Sequence, residues 1–137
     1  MSDKLVVEFY DLSGSENPTA CVLACHGGDN PPQAATTLTD FFAALADISE
    51  PRLEDAGLLA ARFVAWEGER GSNKRSFDFS DVSIIPPNQA HGYQIARVYV
   101  GNGMYPRVEF VTDRYTTAQE EEEASAILTS FPALTKR

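Results

Sequence analysis

Between residues 82 and 113 three β-type runs follow one another with no helix signal between them. They are "VSIIP" (Val82 to Pro86), "YQIARVYV" (Tyr93 to Val100) and "RVEFVTD" (Arg107 to Asp113). Each is rich in β-branched or aromatic residues. Consecutive strands joined by short turns argue for an antiparallel sheet. "GNGMYP", between the last two, carries hairpin-turn chemistry. An antiparallel sheet is therefore the frame into which the rest must fit.

Two earlier runs join it. "LVVEFYD" (Leu5 to Asp11) and "TACVLAC" (Thr19 to Cys25) read as strands, and "LSGSENP" between them supplies turn residues, so they form a hairpin with a loose loop. Helix signals follow. Asn30 caps, Pro31 suits the first helical position, and Gln33 stands where a capping-box partner would. Leu38, Phe41, Phe42, Leu45 and Ile48 then recur at helical spacing until Pro51.

"EDAGLLAARFVAWEGER" has two readings. Alanine content and a cap at Asp55 favour a helix from about Ala56 to Trp66. The competing reading is a buried strand, "ARFVAW". Both put Leu59, Phe63 and Trp66 in the core. The polar stretch "GERGSNKRSFDFSD" reads as an exposed loop. Near the end, Thr117 with Glu120 makes a capping box, and Ala124, Ile127, Leu128 and Phe131 form an apolar stripe closed by Pro132. The order is β-β-α-α-β-β-β-α. It predicts one α+β domain over residues 1–137, an antiparallel sheet of about five strands with helices on one face.

The 137 residues suffice for one core without staples. Twenty acidic against eleven basic residues leave a net charge of −9, which disfavours nucleic acid or an anionic membrane as partner and allows a basic protein. "MSDKLVVEFYD" lacks the pattern of a signal peptide, and no apolar run approaches the ~20 residues of a membrane span. The expected location is the cytoplasm, where Cys21 and Cys25 stay reduced.

Three segments carry a family likeness. "ACVLACHGGDNPPQAATTLTDFF", "DAGLLAARFVAWEGE" and "IIPPNQAHGYQIARVYV" resemble successive blocks in a family of small phage and prophage proteins, over roughly residues 5–112. Members of that family carry a Tyr-Arg-His-Trp-Asp-Gly-Tyr-Pro-like pattern after the second strand. His26 and Pro31 match it, while Gly28-Asp29-Asn30-Pro31 replaces the Asp-Gly-Tyr-Pro core. The resemblance implies origin in a mobile element. It supplies neither substrate nor catalytic residues.

"CVLACHGGDNPP" (Cys21 to Pro32) is the densest cluster of reactive types. On a strand at ~3.3 Å per residue, Cys21 and Cys25 stand about 13 Å apart, too far for shared zinc bonds of ~2.3 Å or for a disulfide. Cys25 and His26 point to opposite faces. Gly27-Gly28 lacks the Lys-Ser/Thr of a phosphate loop and instead suits a turn with positive φ before a capped helix. No metal, cofactor or catalytic set is expected. An alternative keeps Cys25, His26 and His91 as the pocket of a small enzyme or ligand binder, since catalytic partners need only meet in space.

The leading expectation is a non-enzymatic module that binds another protein, in the manner of an anti-CRISPR inhibitor of host defence. The candidate surface comprises Glu67, Glu69, Asp78 and Asp81 around the polar loop, and Glu120, Glu121, Glu122 and Glu123 on the last helix. Four consecutive glutamates on a helix fan around its axis, unlike the phosphate edge of a duplex. They also meet the positive end of the helix dipole.

Overall fold

A computed structural model of the chain describes residues 4–11, 17–25, 27–28, 30–48, 54–71, 82–86, 93–100, 106–111 and 117–129. The elements run β1 (Leu5–Tyr10), β2 (Ala20–Ala24), α1 (Pro31–Leu45), α2 (Ala56–Gly71), β3 (Val82–Ile85), β4 (Gln94–Tyr99), β5 (Arg107–Phe110) and α3 (Ala118–Thr129). This is the α+β order the sequence predicts.

The five strands lie in the order β3-β2-β1-β4-β5. β1 pairs antiparallel with β2, β2 with β3, and β4 with β5. β1 and β4 pair in parallel, from Leu5 opposite Gln94 to Tyr10 opposite Tyr99. The sheet is thus mostly antiparallel and not wholly so. The physical reason lies in β1, which is buried along its whole length. A strand buried on both faces belongs in the middle of a sheet, and β2, both following helices and β3 together form a crossover long enough to return the chain parallel to it.

Local chemistry starts each helix. The Asn30 side chain accepts the Gln33 N–H at 3.0 Å, and Pro31 occupies the first turn. Asp55 Oδ1 accepts the Leu58 N–H at 3.0 Å and so caps α2. Thr117 and Glu120 close a reciprocal capping box, each accepting the other's backbone N–H at 3.1 Å. Two glycines shape the entry to α1. A Cβ on Gly27 would stand 2.8 Å from Leu5 Cβ, so only glycine lets the turn close over β1. Gly28 has φ +107°, and Thr37 fastens the turn to α1 by donating to the Gly27 carbonyl at 2.7 Å.

Two boundaries differ from expectation. α1 ends at Leu45 in a tight turn in which Ile48 N–H donates to the Leu45 carbonyl, and Ile48 is 39% exposed instead of joining the core stripe. α2 continues past Trp66 through Gly68 to Gly71. Gly68 packs on β3, where an added Cβ would meet Val82 Cγ1 at 3.4 Å, and this packing offsets the ~1 kcal/mol helix cost of glycine.

The helices lie on one face of the sheet. α2 packs over β1, β2 and β3, α1 contacts β4, and α3 packs against α1. Leu5, Val7 and Phe9 of β1 meet Leu38, Phe41, Leu59 and Phe63 there. Phe63 is the hub, edge-on to Phe41 with ring centroids 5.1 Å apart and tilted against Phe9 at 5.9 Å. Trp66 is half-buried and packs on both Phe41 and Phe63. Among the described residues no helix is long and apolar enough to cross a membrane.

Candidate functional site

The other face of the sheet carries no helix among the described residues, and its side chains fall into lateral rows. Ser83, Leu23, Val6 and Ile95 make one row, apolar across its three inner strands. The next runs Ile85, Cys21, Glu8, Arg97, Glu109 across all five strands. A third runs Tyr10, Tyr99, Arg107. Charge alternates along the second row, with Arg97 between two carboxylates.

Glu8 anchors the arrangement. It is 9% exposed in the central strand, where an unpaired carboxylate would be costly. Two donors satisfy it on the same oxygen. Tyr10 O–H donates to Oε1 at 2.9 Å and Arg97 Nε donates at 3.2 Å. Tyr10 stacks on Tyr99 with centroids 4.9 Å apart, and Tyr99 O–H donates to Glu109 Oε1 at 3.1 Å. The Arg107 guanidinium lies over the Tyr99 ring at 4.4 Å, a cation–π distance. Tyr99 is therefore held from three sides: by a ring, a carboxylate and a cation.

Exposure rises from the centre outward. Val6, Glu8, Tyr10 and Cys21 are buried, Arg97 and Tyr99 are half-buried, and Arg107 and Glu109 are exposed. The titration of the buried groups follows. Burial, with Glu8 beside it, pushes the Tyr10 hydroxyl up to about 12. Burial and the Glu8 charge raise the Cys21 thiol to about 11. Tyr99 is raised by burial and by its bond to Glu109. Burial alone would lower the Arg97 guanidinium, but Tyr10 and Glu8 outweigh it and hold the proton more firmly. The thiol and both phenols are thereby kept protonated at neutral pH, which unsuits them as nucleophile or base.

The residues singled out in the sequence are placed only in part by the described residues. Cys25 is half-buried in the turn after β2, Cys21 is buried opposite Glu8, and His26, His91, Asp78 and Asp81 lie outside the described residues. Glu67 requires a correction, because it is fully buried and withdrawn from any docking surface. It follows Phe63 by four positions and Leu59 by eight, so the helical period turns it inward. Glu69 is exposed at the rim of a groove between α1 and α2, while Glu121, Glu122 and Glu123 are exposed on α3, beyond α1 from α2. Glu120 is half-buried in the capping box.

Sequence reasoning passed over Glu8, Tyr10, Arg97, Tyr99, Arg107 and Glu109. A signal was present: "LVVEFY" and "QIARVY" each hold a single charged residue, an acid in the first and a base in the second. Among the described residues no three His, Cys, Asp or Glu side chains gather as a metal site requires. The chain matches no protein-family model, no curated protein and no solved structure.

Proposed function

We propose that this chain is a protein-binding module whose contact surface is the sheet face away from the described helices, around Tyr99, Arg107 and Glu109. The observation that carries the reading is the braced Tyr99, with Tyr10 stacked behind it and Arg107 over it. Tyrosine and arginine dominate the energetic centres of protein interfaces. Side chains already ordered before contact lose less entropy on binding. The raised thiol and phenol titrations favour recognition over chemistry at neutral pH. The net charge of −9 steers a basic partner toward the molecule. The resemblance to small phage proteins names the partner class to try first, a component of a host defence system.

Capture from a host extract tests this. The immobilised chain retains a specific protein, and Tyr99→Ala with Arg107→Ala weakens its retention by about thirtyfold, the ~2 kcal/mol of an interface anchor. Thermal unfolding of the variant is measured alongside, to show that the fold persists. Equal retention by the folded variant removes this surface from the reading, and capture of nothing specific removes the reading itself.

A further inference from the structure

We propose that the outer edge of β5, flanked by α3, is a strand-addition site for an extended basic segment of a partner protein. The site lies on the side of β5 opposite Arg107 and Glu109, so it stands or falls separately from the surface above.

Among the described residues β5 is the last strand of the sheet. The Val111 N–H donates to the Ile95 carbonyl at 3.0 Å, which fixes the phase of the ladder. Backbone groups of alternate residues point to the same side of an antiparallel strand. Arg107, Glu109 and Val111 therefore turn theirs to β4, and Val108 and Phe110 turn theirs outward. Pro106, just before the strand, has no N–H, so the outward donors begin at Val108. Two N–H and two C=O groups in extended geometry accept one chemistry well, the backbone of another strand.

Side chains define what that strand carries. Val108 and Phe110 sit opposite Val98 and Ala96, on the helix side of the sheet, and both are half-exposed. With Pro31, Val111 and Leu128 they line a groove of about 270 Å³ between β5 and α3. An incoming strand would place alternate side chains over this apolar floor. Among the described residues the lining charge is acidic: Glu121 lines the groove, and α3 bears four glutamates and no lysine or arginine. The matching segment carries lysine or arginine among the apolar residues of the one side that turns to α3, since its alternate side chains turn to the other face of the sheet.

A fluorescein-labelled peptide in which valine and lysine take turns at every second position, with threonine between them, is the probe, read by anisotropy and by amide exchange. Saturable binding is expected, with exchange slowed at Val108 and Phe110. N-methylation of alternate peptide bonds on the edge-facing side weakens binding at least about tenfold, as does replacing the lysines with glutamate. Val108→Pro removes one outward N–H at an edge that tolerates proline, and it has a similar effect. Should that variant fail to fold, the N-methylated peptide on the native chain decides. Equal binding of the N-methylated peptide overturns strand addition, and equal binding of the glutamate peptide overturns the basic partner. Absence of saturable binding up to about 1 mM overturns the site. Concentration-dependent self-association that protects the same two amides overturns the choice of partner in favour of a second copy.

Discussion

Along β1, Leu5, Val7 and Phe9 turn toward the helices while Val6, Glu8 and Tyr10 turn away, and all six are buried. The two sides reach burial by different means. The helix side is filled with aromatic and aliphatic groups whose fit is set by shape. The far side buries a carboxylate, a phenol and a thiol, and its fit is set by pairing, with Glu8 receiving both Tyr10 and Arg97. Shape tolerates exchange among apolar residues, whereas a pairing fails when one member is removed. The difference teaches where stability and where specificity reside in this molecule.

The largest test is on the helix side. Phe63→Ala empties the centre of the aromatic cluster and costs about 3–5 kcal/mol in denaturant unfolding. A loss under about 1 kcal/mol means that the cluster is not the keystone of the core.

On the far side, Arg97→Met removes the cation from Glu8 and leaves it the Tyr10 hydroxyl. The Arg97 side chain is 40% exposed, so solvent screens the pair and the expected cost is only about 1–2 kcal/mol. Adding Glu8→Leu together with Tyr10→Phe, which removes the hydroxyl that Glu8 accepts, should recover most of it, because apolar groups of similar volume replace a buried polar set at little cost. A triple variant no more stable than the single one breaks the contrast between pairing and shape.

How much of this was legible follows the same division. The Asn30-Pro31-Gln33 start of α1 and the Thr117–Glu120 box are written in adjacent residues, and both form as read. The segment holding Leu59, Phe63 and Trp66 left helix and strand open, because apolar residues nearly surround it and periodicity decides little. The parallel partner of β1 could not be read, since Glu8 meets Arg97 across 89 positions and no local signal names a distant strand. The acidic residues were weighed as surface alone, although the spacing from Phe63 already placed Glu67 inside.

The smallest difference is silent at neutral pH. Tyr10 holds its proton to about 12 in the folded chain against 10.0 when unfolded, and Cys21 to about 11 against 9.0. A group whose titration is raised by folding contributes in full below its unfolded value and loses that contribution as pH climbs through its folded one. The contribution of these two groups should therefore be flat below pH 9.0 and decline between pH 9.0 and about 12. Tyr10→Phe and Cys21→Ala should flatten that decline, read by urea unfolding across the alkaline range. Parallel declines in native and variant chains show that these protons are not the linked ones.

The parallel neighbour of the central strand also sets a timetable. On the ribosome, residues 5–10 are polymerised long before residues 94–99, and until those emerge one long margin of the earliest strand lies open. Pairing so distant in sequence closes slowly. A nascent chain halted before Gln94 would therefore display a bare apolar ribbon, the kind of species that holdase chaperones recognise and that clumps in their absence.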